Sequence, residues 1–161
     1  MRFQVSQKLL ALGGDFSVRD EAGREAFYFD GKLFSLGGKR VVVLDPKRKE
    51  VARIVQKPLS FTPTYRVKRN GVVAATIKKR RFSLRDTFLI DVPGTNDFQV
   101  VGGYIGFEYT IRRGAIEVAR ISKRFFSSND SYGVEVHHGD PVLLLCAVIV
   151  IDLVLFKRRR S

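Results

Sequence analysis

Apolar and polar residues alternate along most of the chain before residue 139. In one representative segment Phe107, Tyr109 and Ile111 are apolar, and the residues between them are polar. Successive side chains of a β-strand point to opposite faces, so a period of two predicts strands with one buried face. Turn-forming sequences separate these segments; Asn70-Gly71 is the sharpest, because a two-residue hairpin turn needs positive φ at both positions. The spacing predicts roughly eleven or twelve short strands, typical of an all-β barrel or sandwich.

A ten-residue motif occurs three times, in residues 51–60, 74–83 and 118–127. The copies begin 23 and then 44 residues apart, close to one and two lengths of a unit of about 22. Each copy follows a turn, so each is predicted as the return strand of a hairpin. A hairpin cannot bury its apolar face alone, and the copies must therefore close on one another or on a shared element.

The C-terminal region predicts that shared element. Asp140-Pro141 is a strong helix start, with Asp as N-cap and Pro at the first helical position. Residues 142–156 are apolar except Asp152, and a helix that is apolar on all sides is either buried in protein or inserted in a bilayer. Residues 141–156 would rise about 24 Å, short of the ~30 Å hydrocarbon core of a membrane.

A membrane anchor stays open as an alternative, because the basic residues 157–160 suit the cytoplasmic flank of a span. Against it stand the short length and Asp152, whose carboxylate would cost about 2.5–3.5 kcal/mol at mid-bilayer. We favour a buried helix over residues 140–156, followed by a basic tail at 157–161. Inside the protein, Asp152 must be hydrogen-bonded, paired or placed at the barrel mouth, and we interpret it as structural.

Composition bounds the protein class. A length of 161 residues with 45% apolar and 28% charged residues predicts one globular domain, residues 1–161. The single cysteine, Cys146, excludes an intramolecular disulfide framework, and the N-terminus lacks the apolar run of a secretory signal. We therefore expect a cytoplasmic protein, monomeric by default.

The net charge of +13 is concentrated in one part of the sequence. Residues 39–81 contain 14 basic and 2 acidic side chains, a density that attracts polyanions. We expect an anionic membrane surface or a phosphorylated ligand as partner, and a nucleic acid as the alternative; a merely solvated surface is the simpler interpretation. The candidate anion-binding residues are Arg66, Lys68, Arg69, Lys78, Lys79, Arg80 and Arg81.

No catalytic or cofactor motif is found in the sequence. It contains no Gly-x-Ser-x-Gly elbow, P-loop or Gly-x-Gly-x-x-Gly fingerprint. His137 and His138 are adjacent, so on a strand they point to opposite faces and do not favour a shared metal. Cys146 lies among aliphatic residues, where a thiol is usually an inert core residue. We expect no enzymatic activity, no cofactor and no metal.

Six segments in order resemble the LURP-one-related family of the tubby C-terminal-like and phospholipid-scramblase-like superfamily, in its single-domain bacterial-type form. The resemblance spans roughly residues 3–156 and implies a closed barrel of about twelve strands around the C-terminal helix. Tubby domains bind phosphoinositides through basic barrel residues, so it also implies a protein that binds phospholipid headgroups, peripherally at a membrane. A scramblase-like membrane protein is a further alternative. The matching segments are residues 29–38, 51–60, 103–109, 118–124, 130–136 and 140–152.

Overall fold

The strands follow one another around a barrel in chain order, each antiparallel to its neighbours. A computed structural model describes residues 1–8, 14–35, 38–94, 97–103, 107–123 and 131–160. The strands are β1 (Arg2–Lys8), β2 (Asp15–Arg19), β3 (Glu25–Ser35), β4 (Gly38–Leu44), β5 (Glu50–Gln56), β6 (Thr64–Arg69), β7 (Val72–Lys79), β8 (Thr87–Asp91), β9 (Phe98–Gly102), β10 (Glu108–Arg113), β11 (Ile116–Ser122) and β12 (Ser131–Val136), followed by helix α1 (Pro141–Arg160).

The barrel closes because β1 pairs with both β2 and β12. Val5 of β1 lies opposite Val18 of β2 and opposite Tyr132 of β12. These side chains point inward and are 0 to 3% exposed. The prediction of about twelve strands in a closed barrel is confirmed. The first two copies of the repeated motif begin within β5 and β7 and include the ends of those strands. The third begins within β11 and then continues beyond the described residues.

Helix α1 fills the interior of the barrel. Leu145, Ala147 and Ile149 are fully buried and belong to the same core as the inward side chains of the strands. A helix with no polar face is stable in this position because apolar barrel side chains surround it instead of water. Over the part of the chain that the structure describes, no helix combines the length and hydropathy needed to cross a bilayer.

The sequence predicts a helix to residue 156 and a basic tail after it. The helical backbone runs on to Arg160. Lys and Arg are good helix formers and are favoured at the C-terminal end of the helix dipole, so the end of the apolar run does not end the helix.

The two ends of the barrel differ, and we name them by their connections. The cap end contains the turn at residues 70–71 and the segment 137–140, where α1 begins. The far end contains the loops 57–63 and 80–86, toward which α1 runs. The direction of α1 follows from its contacts: Asp140 pairs with Arg69 at the cap end, and Leu153 packs near Gly14, at the start of β2.

Asp152 lies inside the barrel and is 7% exposed. Its carboxylate lies near the hydroxyl of Tyr132, and burial together with this carboxylate raises the pKa of Tyr132 well above its usual value. Among the described residues the Tyr132 hydroxyl has no hydrogen bond of normal geometry.

Candidate anion-binding site

The outer surface of four neighbouring strands, β4 to β7, carries a cluster of cations. Tyr65 and Val67 of β6 point into the core, so the alternating residues Arg66 and Lys68 point outward. On the neighbouring strand β5, Val55 lies opposite Arg66 and Arg53 lies opposite Lys68. Val55 also lies opposite Arg40 of β4. We call the resulting outward cluster the basic face; it consists of Arg40, Arg53, Arg66, Lys68 and Lys78.

A cleft of about 510 Å³ opens in the basic face. Arg40, Arg53 and Lys68 line it, together with Glu50 and the turn at residues 70–71. Three cations and one carboxylate give the cleft a net positive charge. Within the described residues, Arg40 and Lys68 have no ion-pair partner, and both are available to an incoming anion.

Glu50 holds one of these cations in place. The Nε atom of Arg53 donates a hydrogen bond to Oε1 of Glu50, and its Nη2 atom donates one to Oε2, both at 2.9 Å. This pairing raises the pKa of Arg53 and fixes its guanidinium against the Glu50 carboxylate. Lys68 lies directly across from Arg53 in the ladder, and like charges in that position repel each other unless an anion lies between them.

The other predicted anion-binding residues lie elsewhere. Arg69 has the inward orientation of Val67, and at the cap end its guanidinium donates to the Asp140 carboxylate. Lys79 has the inward orientation of Ile77, and its Nζ lies 3.1 Å from Oδ1 of Asp86 at the far end. The structure therefore does not join these two cations to the basic face, because adjacent residues of a strand point to opposite sides.

The last two predicted residues, Arg80 and Arg81, lie in the far-end loop 80–86. The guanidinium carbon of Arg81 is 5.2 Å from the centroid of the Phe82 ring, a cation–π contact. Both arginines line a second cleft, of about 400 Å³, between the loops 57–63 and 80–86. The predicted set is thus divided between the basic face, the cap end and the far end.

Sequence reasoning missed Arg40 and Arg53. Both lie in the cation-rich stretch 39–81 and on strands with alternating patterns, so charge density was the available signal. Placing them beside Lys68 requires the register of β4, β5 and β6, which depends on pairing between strands and not on the pattern within any one of them.

The other residues singled out in the sequence, Asp140, His137 and Cys146, take part in contacts that stabilise the fold. Asp140 caps α1: its Oδ1 accepts a hydrogen bond of 3.0 Å from the Val142 amide. His137 lies 3.3 Å from Glu117, whose pKa is lowered by its hydrogen bond with Arg120. Cys146 is fully buried, and this burial raises the pKa of its thiol. Within the described ranges, no three His, Cys, Asp or Glu side chains are grouped as metal ligands would be.

Comparisons with known proteins identify the fold. A model of the LURP-one-related family matches residues 1–152. A solved X-ray structure of a protein from Arabidopsis thaliana is similar, with a TM-score of 0.69 over 96% of this chain and 91% of that chain, at 16% sequence identity. No curated protein is significantly similar in sequence.

Proposed function

The chain belongs to the LURP-one-related family, and from this premise and its arrangement of cations we propose that it is a non-enzymatic tubby-like barrel that binds a phosphate-bearing anion on the basic face. The observation that carries the proposal is the register of β5 and β6, which sets Arg53 directly opposite Lys68 beside Arg40 in one cleft. The proposed ligand is a phosphoinositide or another phospholipid headgroup.

Electrostatics favour a phosphate in this cleft. Arginine guanidinium groups match phosphate oxygens in a fork geometry, and lysine adds a compact point charge. Glu50 already pairs with Arg53, so a bound phosphate would chiefly neutralise Lys68 and Arg40, which have no ion-pair partner among the described residues. Binding is therefore expected to weaken as ionic strength rises, since the cleft is open to solvent and its charges are screened.

A nucleic acid is the less favoured ligand. Binding of single strands usually combines a cationic groove with exposed aromatic side chains on which bases stack. Of the two aromatic residues nearest to the basic face in sequence, Tyr65 points into the core and is 5% exposed, and Phe82 lies at the far end. The basic face can attract a nucleic acid backbone, but these residues provide no stacking surface for its bases.

Titration with a soluble inositol trisphosphate tests the proposal. We expect Lys68→Glu and Arg40→Glu, which both alter cations lining the cleft, each to weaken binding by about tenfold or more, equivalent to about 1.4 kcal/mol. The matched control is Lys47→Glu, which makes the same charge change on the exposed turn between β4 and β5 and should leave affinity within about twofold. Glu50→Gln should tighten binding, because it releases the guanidinium of Arg53.

Two results would overturn the proposal. One is the absence of binding by the unmodified protein at low ionic strength. The other is equal weakening by Lys68→Glu and Lys47→Glu, which would mean that net charge alone attracts the ligand. Tighter binding of single-stranded oligonucleotides than of inositol trisphosphate at physiological salt would support the nucleic acid alternative instead.

A further inference from the structure

Two neighbouring loops at the far end expose large apolar side chains to solvent. In the loop 57–63, Leu59 and Phe61 are 105% and 97% exposed, and in the loop 80–86, Phe82 and Leu84 are 96% and 107% exposed. These are the four most exposed large apolar residues in the described part of the chain; the others, at 52 to 69%, lie near the cap end. A cluster of exposed large apolar side chains marks an interaction surface, whereas apolar residues exposed singly are ordinary.

The two loops have the same construction, 23 residues apart. Leu59 and Phe82 occupy equivalent positions and both have positive φ, 54° and 55°, a conformation that is unusual for bulky residues. The amides of Lys57 and Arg80 donate hydrogen bonds of 2.8 Å to the carbonyls of Thr64 and Thr87. A repeated backbone therefore holds an apolar side chain outward in both loops.

The loops are also fixed to the barrel and to each other. The hydroxyls of Thr64 and Thr87 donate to the carbonyls of Thr62 and Arg85, at 2.9 and 3.0 Å. The amide of Lys79 donates to the carbonyl of Pro63 at 3.2 Å, which joins the base of one loop to the other. The exposed side chains consequently form a pair of tips held side by side.

Cations surround the apolar tips. Lys57, Arg80, Arg81 and Arg85 are exposed in the same two loops. Apolar tips surrounded by cations match the surface of an anionic bilayer, where apolar groups enter the acyl boundary and Lys or Arg contacts phosphates.

We propose that the loops 57–63 and 80–86 insert Leu59, Phe61, Phe82 and Leu84 into the interface of an anionic phospholipid bilayer, so that the far end of the barrel faces the membrane. This inference goes beyond the proposed function, because it places a bilayer at the far end of the barrel, whereas the cleft in the basic face reaches the cap-end turn at residues 70–71. It depends on residues outside the basic face, so the two proposals can fail separately.

A tryptophan at the tip tests the insertion directly. The chain contains no tryptophan, so Phe82→Trp provides the only indole signal. On addition of vesicles of phosphatidylcholine with phosphatidylserine, we expect its emission to move to shorter wavelength and to be quenched by brominated acyl chains. The matched control is Val72→Trp at the cap end, where the wild-type side chain is 69% exposed, and its emission should not change.

Co-sedimentation with the same vesicles provides the second measurement. The double variant Phe61→Ser and Phe82→Ser should lose about tenfold or more of its vesicle affinity, because burial of aromatic surface drives insertion. Val72→Ser should bind as the unmodified protein does. Neither variant removes a buried side chain, and circular dichroism checks that both are folded.

The outcomes separate the two proposals. Vesicle binding without a change in Phe82→Trp emission, or unchanged binding by the double serine variant, overturns the insertion. If the double serine variant loses vesicle binding but retains inositol trisphosphate binding, both proposals are supported. If Phe82→Trp inserts while inositol trisphosphate binds to no variant, the insertion is supported and the basic-face proposal fails.

Discussion

Replacing Asp140 with alanine should destabilise the protein through the start of α1. The Asp140 Oδ1 atom accepts a hydrogen bond of 3.0 Å from the amide of Val142, the second helical residue. Its Oδ2 atom accepts a hydrogen bond from the Arg69 guanidinium, which ties the helix start to the end of β6. Asp140→Ala removes both interactions and leaves the backbone unchanged.

The magnitude follows from these two contacts. Loss of an Asp N-cap costs about 0.5–2 kcal/mol. The ion pair contributes about 0.2–1 kcal/mol more, since its side chains are 36% and 39% exposed and therefore screened by solvent. We expect the free energy of unfolding to fall by about 0.7–3 kcal/mol, which lowers Tm by about 1–12 °C in a chain of this length.

Urea unfolding followed by circular dichroism measures the loss. Asp140→Asn is the matched variant, because asparagine still caps a helix but cannot form the ion pair; it should cost less than half as much as Asp140→Ala. Arg69→Met should cost no more than Asp140→Asn, and the two together should be less than additive, since they remove the same interaction. An Asp140→Ala variant as stable as the unmodified protein, or equal losses for alanine and asparagine, would refute the capping argument.

Three further measurements test the rest of the structure. Leu145→Ala, deep in the core of the barrel at 0% exposure, should lower the free energy of unfolding by about 2–5 kcal/mol in urea titrations; a loss below 1 kcal/mol would mean that α1 is not enclosed. The Cys146 thiol, whose pKa burial raises, should react with a thiol reagent only after denaturant is added, and rapid labelling of the native protein would contradict its burial. The hydroxyl of Tyr28 donates to the Asp15 carboxylate at 2.7 Å, and this hydrogen bond raises the Tyr28 pKa from 10.0 to about 12. The free energy of unfolding should therefore fall as pH rises from 10 to 12, because the unfolded chain loses this proton first. Tyr28→Phe should show a smaller decline over the same pH range.

Local features of the barrel were predictable from the sequence. The turn at Asn70 and Gly71 has the expected positive φ values of 51° and 75°, because the requirement for that backbone lies within the two residues themselves. The cap at Asp140 is local for the same reason: the side chain reaches an amide only two positions later. The inward position of Tyr65 and the outward position of Arg66 follow from the period of the strand.

The candidate site was predictable only in part. Of the candidate residues, Arg66, Lys68 and Lys78 lie on the basic face, and charge density was sufficient to point to them. The same density also included Arg69 and Lys79, whose partners Asp140 and Asp86 lie at opposite ends of the barrel. Charge counted along a sequence does not distinguish a cation that faces solvent from one that has an acidic partner.

The sequence by itself determined the strands, the sharp turn, the start of the apolar helix and the need of that helix for an apolar enclosure. Each of these depends on neighbouring residues or on a short period. The tertiary structure alone decided that Arg53 lies opposite Lys68, that Arg40 completes their cleft, and that the loops 57–63 and 80–86 lie side by side with their apolar tips exposed. These relations depend on the register between strands, which is set when the whole barrel closes around α1 and which no single segment of the sequence contains.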